Sequence, residues 1–199
     1  MTADADRTGL TRTHAHALTE PSAWVVRWAG AMPARGRVLD VAAGRGRHSR
    51  WLAARGHAVD AVDSDAEALS ALTGCTGVET LCANLENAPW PYPEGRYAAV
   101  VVTNYLHRPL FAHLLAALSP AGVLIYETFA LGNERFGRPS NPEFLLRPGE
   151  LLELVRGRLR VIAYEDVYVE APKPALVQRI CAVVPGGDVP EPLRVKSPA

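Results

Sequence analysis

The sequence predicts an α/β fold built on a doubly wound, largely parallel sheet, and three observations carry that expectation. Short apolar runs alternate with amphipathic segments along most of the chain, and a glycine-marked turn joins the first run to the segment behind it. The last two runs follow one another with no helix between them, so the sheet should close on an antiparallel pair.

Taken in order, "PSAWVVRWAGAM" sets Pro21 near a helix start, with Trp24, Val25, Trp28 and Met32 at three-to-four spacing, which predicts an opening helix over 20–32. "GRVLDVAA" is a short buried strand, "HSRWLAARG" a helix ended by Gly56 and "HAVDAVD" a second strand, together one βαβ unit. A helix at about 65–73 comes next, then the strands "VETLCAN" and "YAAVVVTN", the helix "RPLFAHLLAAL" and the strand "GVLIYETFA". "LGNERFGRPSNPEFLLRP" holds too much Gly and Pro for an element and is longer than a connection requires, so a loop over the site is expected at 130–148. "PGELLELVRG" is a helix from Pro148 to Gly157, and "RLRVIAYEDVYVE" and "PALVQRICAVV", joined by "APKP", are the closing pair. The chain thus divides into a polar segment 1–19 that can serve as a lid, one domain over 20–184, and a loose tail over 185–199 rich in Pro and Gly.

Composition narrows the partners. Lys and Arg number 21 and Asp and Glu 21, and this lack of basic excess argues against a nucleic-acid partner. Cys75, Cys82 and Cys181 show no paired spacing, so no metal site is expected and a reduced, cytoplasmic setting is. No window holds the ~18 consecutive apolar residues that span a bilayer, and no membrane partner is expected. A small molecule suits this balance.

The segment "VLDVAAGRGRHSRWLA" should hold that molecule's cofactor. Gly44 and Gly46 let backbone N–H groups approach a ligand at the carboxyl ends of the strands, with Ala42 and His48 in the same turn. Asp63, about 20 residues on, is placed to accept from ribose hydroxyls. A nicotinamide site would carry G-x-G-x-x-G, whereas here the third position is Ser49. Asp40, just ahead of the turn, would repel a pyrophosphate and suits a cationic ligand, or else it serves the backbone amides of the turn.

"VLDVAAGRG" resembles the first motif of the class I methyltransferases that use S-adenosylmethionine, with Ala42 replacing the first glycine and expected to need a negative φ. The resemblance implies S-adenosylmethionine as cofactor and a Rossmann-like seven-stranded sheet of order 3-2-1-4-5-7-6, its last strand antiparallel. It also implies Asp63 on the ribose hydroxyls, Asn84 and Leu85 of "CANLE" against the adenine, and "VVVTNY", with Asn104, beside the methyl group. "LTRTH", "GRGRHS", "PEFLLRPGELL" and "YEDVYVE" together look like the tellurite-resistance methyltransferases over residues 10–182. That likeness puts Arg12 and His14 over the cofactor pocket. The His-Arg pair such enzymes carry on the substrate side is missing from "YVEAPKPALVQRI", where Lys173 and Arg179 are the nearest charges.

Candidates for the chemistry lie at the strand ends: Tyr105 and His107 in "TNYLHRPLF", Tyr126 and Glu127 in "IYETFA", and Arg138 in the long loop. An imidazole suits proton transfer near neutral pH, and an arginine suits an anionic acceptor. The expected activity is in-line methyl transfer to a small molecule. Two alternatives stand beside it: a binding protein without catalysis, and a methyltransferase of protein or RNA, although "TNYLHRP" lacks the Asn/Asp-Pro-Pro-aromatic motif of many such enzymes.

Overall fold

The computed structural model describes residues 19–186. Its strands are β1 (Val38–Val41), β2 (Val59–Asp63), β3 (Val78–Cys82), β4 (Tyr97–Thr103), β5 (Leu118–Phe129), β6 (Arg160–Val169) and β7 (Ala175–Val183). Its helices are α1 (Ala23–Trp28), α2 (Arg47–Ala53), α3 (Ala66–Ser70), α4 (Phe111–Ala116) and α5 (Glu150–Val155). The strands form one sheet of order β3-β2-β1-β4-β5-β7-β6, with β7 antiparallel to both neighbours, as expected.

Strand periodicity sorts the side chains onto two faces, and both are covered. On one face Val38, Val59, Ala99, Val101, Val123 and Ile125 meet Trp24, Val25 and Trp28 of α1 and Leu52 of α2. On the other, Leu39, Val41, Val100, Val102 and Leu124 meet Leu114 of α4 and Leu151 and Val155 of α5. Fully burying one such side chain contributes about 1.5–3 kcal/mol, which is why β1, β2 and β4 are buried at every position.

The helices are shorter than their periodicity suggests. The opening helix runs from Ala23, where the Ser22 side chain accepts from the Trp24 N–H at 3.1 Å, to Trp28 and continues as a 3-10 turn over Ala29–Ala31. The segment expected as helix over 65–73 is helical only over Ala66–Ser70, capped by the Asp65 carboxylate on the Ala68 N–H. β3 stops at Cys82, leaving Asn84 in the turn beyond it. β5 starts at Leu118, four residues before the expected Gly122, because Leu118 pairs with Tyr97 across an irregularity in the ladder.

The expected loop over 130–148 is tied down at its base. Leu146 donates to the Phe129 carbonyl at 2.9 Å, Leu131 to the Leu146 carbonyl at 2.9 Å and Ala130 to the Leu176 carbonyl at 2.9 Å. Leu145 and Leu146 are fully buried, and Arg108 clasps the return of the loop. Its guanidinium donates to both Glu150 oxygens at 2.6 and 2.9 Å and to the carbonyls of Glu143 at 2.7 Å and Leu145 at 2.9 Å. The tip of the loop, residues 134–138, is exposed. Arg12 and His14, with most of the polar segment, and residues 187–199 of the tail lie outside the described residues. No helix among the described residues is long and apolar enough to cross a membrane.

Candidate active site

The parallel strands end on one edge of the sheet, where the turn after β1, Asp63 and Asn104 lie. The turn after β1 is wound by three left-handed residues, Ala42 (φ 54°), Gly44 (φ 54°) and Gly46 (φ 73°). The expectation of a negative φ at Ala42 is therefore wrong: the fold imposes on an alanine the conformation a glycine would adopt freely. Left-handed backbone costs an L-residue roughly 1–2 kcal/mol, part of which glycine loses again through its freer unfolded chain. Ala42→Gly should accordingly raise stability by about 0.5–1 kcal/mol in urea denaturation at an unchanged slope; a loss of stability would show that the alanine methyl packs usefully.

Asp63, at the end of β2, organises this turn. One carboxylate oxygen accepts from the Gly44 N–H at 2.7 Å and the other from the Asp65 N–H at 2.9 Å, while the residue as a whole is 7% exposed. Each oxygen keeps a second lone pair, so a diol can still be received there. Asn84 is exposed beyond β3, and its side-chain oxygen accepts from the Glu86 N–H at 3.0 Å, which leaves its NH2 free to point elsewhere. Leu85 is 8% exposed and belongs to the core, so it can offer a ligand only an edge.

Asp40 and His48, expected at the cofactor, are both buried and hydrogen-bonded within the framework. Asp40 is 1% exposed and accepts from the Ser49 hydroxyl of α2 at 2.6 Å. His48 is 2% exposed, its Nε2 accepting from the Ser22 N–H at 3.1 Å, and so it joins α1 to α2. Burial, aided by the charge of Arg47, pushes its pKa down to about 3, and the ring is neutral. Sequence alone reads "GRGRHS" as a ligand turn because the packing of the opening helix onto it is not visible there.

Burial also raises the Asp40 carboxyl, to about 6. Its folded pKa then lies above the unfolded value near 4, so the folded state holds the extra proton and stability is lost as pH rises through about 6. His48 acts in the opposite sense, since the unfolded chain takes up its proton as pH falls. Comparison with Asp40→Asn isolates the carboxyl: relative to wild type, that variant should gain roughly 2–3 kcal/mol between pH 4.5 and 7.5 in parallel urea titrations. A difference that stays constant with pH would rule out a strained carboxylate.

At the end of β4, Asn104 (φ 55°) is exposed and its N–H donates to the Glu127 carbonyl at 2.9 Å. Tyr105 and His107 are half-buried in the same segment, which Leu106 pins into the core. Tyr126, a candidate for the chemistry, is packed into the sheet. It is 1% exposed, its hydroxyl donates to the Tyr105 carbonyl at 2.8 Å, and burial raises its pKa. Its neighbour Glu127 takes the opposite face, in a row with Thr103, Arg179 and Glu165 across four strands. Glu127 accepts from the Ser22 hydroxyl at 2.7 Å and from Arg179 at 3.2 Å. Arg179 also pairs with Glu165 at 2.6 Å, so the charge considered for an acceptor is already met by two acids. Arg138 is exposed at the loop tip. The sequence reading named Glu127 but passed over its hydrogen-bond partner Ser22, which nothing local to either residue announces.

An edge with a left-handed turn after β1, an acid closing β2 and a strained asparagine after β4 is the cofactor edge of the class I, S-adenosylmethionine-dependent methyltransferase fold, and this chain has that fold. Residues 38–122 match the family model of a methyltransferase domain, which spans the turn, Asp63 and the segment after β4. Among solved structures, an S-adenosylmethionine-dependent methyltransferase from Mesorhizobium loti is similar at 16% identity and a TM-score of 0.64, over 85% of this chain and 99% of that one. A TehB-like methyltransferase from Corynebacterium glutamicum is similar at 16% identity and a TM-score of 0.62, over 90% of this chain and 97% of that one. The 1,6-didemethyltoxoflavin-N1-methyltransferase of Burkholderia thailandensis, seen with its substrate and S-adenosylhomocysteine, is similar at 20% identity and a TM-score of 0.60, over 90% and 82% of the two chains. No curated protein matches the sequence.

Proposed function

We propose that the chain transfers a methyl group from S-adenosylmethionine to a small-molecule acceptor. The observation that carries the reading is the turn itself: its left-handed backbone with the Asp63 carboxylate closing on Gly44 offers acceptors for an adenosine, while no third glycine opens it to a pyrophosphate. The balance of 21 basic and 21 acidic residues and the small-molecule enzyme among the similar structures support an acceptor that is neither nucleic acid nor protein.

In this reading the turn and Asp63 hold the adenosine, Asn84 and the edge of Leu85 border the base, and Asn104 faces the tail. Bound cofactor supplies an electrophilic methyl group on a sulfonium. The protein's part is to hold an acceptor atom in line with it, which alone can be worth up to ~7–11 kcal/mol in ideal cases. The segment of Tyr105 and His107 is suited to that task because Asn104, Leu106 and Tyr126 fix its backbone. His107 takes the acceptor's proton where one is lost, and the loop tip with Arg138 shields the site.

Two measurements test this. Incubation with methyl-labelled S-adenosylmethionine and a metabolite panel should put label in a small molecule; label in protein or RNA alone would overturn the acceptor class. Addition of S-adenosylhomocysteine should slow hydrogen exchange in 1–15 and 130–148 while leaving the sheet unchanged, and removing 1–15 should lower turnover more than stability. Unchanged exchange and full turnover of the truncated protein would remove the lid, and Arg12, His14 and Arg138 with it.

A further inference from the structure

We propose that Arg108 is a positioning residue for methyl transfer, locking the segment that carries Tyr105 and His107 onto the return of the 130–148 loop. The inference rests on the proposed function and concerns a residue outside the cofactor turn. Arg108 follows His107 directly and stands ahead of Pro109, at the start of the 3-10 turn that leads into α4. Four of its five N–H groups are engaged: Nε and Nη2 on the two oxygens of Glu150, Nη1 on the Glu143 carbonyl, and Nη2 again on the Leu145 carbonyl. A forked pair of this kind is stiff, because the planar guanidinium fixes the direction of every bond it makes.

The clasp reaches further than its own partners. Glu150 also accepts from the Arg147 N–H at 2.8 Å, and the Arg147 carbonyl accepts from Nε2 of Gln178 at 2.6 Å. Gln178 is fully buried on β7, and Leu146 is bonded to the end of β5, so one network runs from the segment after β4 through the loop to β5 and β7. On the other side of His107, Leu106 is in the core and the Tyr105 carbonyl is held by Tyr126. His107 itself is extended, at φ −139° and ψ 99°, and its carbonyl accepts from the Leu110 N–H at 3.0 Å. Its backbone is therefore fixed by the core before it and by the clasp after it. Release of Arg108 frees one side only, which shifts the segment without unfolding it. In-line transfer is sensitive to such a shift: a misplacement of about 1 Å can cost about 100-fold in rate. The clasp makes no hydrogen bond to the cofactor turn or to Asp63, so cofactor affinity should not follow.

Three readouts on one set of variants test the role: calorimetry with S-adenosylhomocysteine, label transfer from saturating methyl-labelled S-adenosylmethionine to the metabolite panel, and hydrogen exchange. Arg108→Gln should slow transfer by about 10–100-fold and change S-adenosylhomocysteine affinity by less than about 3-fold, with faster exchange in 104–107 as well as in 141–150. Arg108→Lys keeps a charge opposite Glu150 but not the fork, and should recover part of the rate. Faster exchange in 141–150 alone, with transfer unchanged, makes the clasp a mere loop anchor and overturns the proposal. An equal fall of rate and affinity overturns it too, since the whole edge is then disturbed. Should Arg108→Gln not fold, Glu150→Gln, which leaves both carbonyl bonds in place, should still slow transfer by about 3–10-fold at unchanged affinity. A full rate in that variant overturns the role of Arg108 while leaving the methyltransferase reading intact. A wild type that labels no small molecule overturns the functional reading and the role of Arg108 together.

Discussion

Gly46→Ala should cost roughly 2–5 kcal/mol of folding stability, more than any other single change at the turn. Gly46 sits at φ 73°, where an L-residue is strained by roughly 1–2 kcal/mol. A Cβ there would also stand 2.3–2.5 Å from three atoms of the Leu72 side chain, which is itself 2% exposed. Leu72 cannot swing into solvent, so the packing between α2 and the segment after α3 must open, at a typical cost of about 1–3 kcal/mol for overpacking. Urea denaturation measures the sum, and Leu72→Ala in the same chain should recover part of the steric share but none of the backbone share. A Gly46→Ala protein as stable as wild type would mean that the turn is not held as described. This glycine therefore has two roles that sequence merges into one: it lets a ligand approach and it lets two helical segments meet.

Asp63→Ala should be the second large effect and should appear in two quantities. The Gly44 and Asp65 amides lose their acceptor, and two part-buried donors left unmet cost roughly 1–3 kcal/mol together. Cofactor affinity should fall by about 1.5–3 kcal/mol beyond that, the range for hydrogen bonds to a charged group. Asp63→Asn separates the two, because the amide oxygen can accept one of the backbone N–H groups while its NH2 faces the other. It should keep more stability than Asp63→Ala, with affinity still reduced. Melting curves with and without S-adenosylhomocysteine report both quantities. Full affinity in a folded Asp63→Ala protein would place the ribose elsewhere.

How much of this was legible in the sequence depends on the range of the interaction. The alternation of strands and helices could be read because each element carries its own period and its own stop, as at Gly56, Pro148 and Gly157. The closing β6–β7 pair could be read because no helical segment separates the two runs. The start of β5 could not, since "LSPAG" contains Pro and Gly that look like a turn while Leu118 pairs with Tyr97. In the site, the turn and Asp63 stood out by spacing. The orientation of Tyr126 and Glu127 did not, because a strand buried on both faces has no polar side to tell them apart. The φ of Ala42 was misjudged for a similar reason: local preference favours negative φ, and the surrounding turn overrides it. The Arg108–Glu150 clasp joins residues 42 apart, and nothing local announces it.

Calorimetric titration of the full chain with S-adenosylmethionine, S-adenosylhomocysteine and NAD in parallel tests the central claim most directly. The account predicts saturable binding of the first two and none of comparable strength for NAD, because the turn lacks a third glycine. Tight NAD binding with no response to either adenosyl ligand would contradict it.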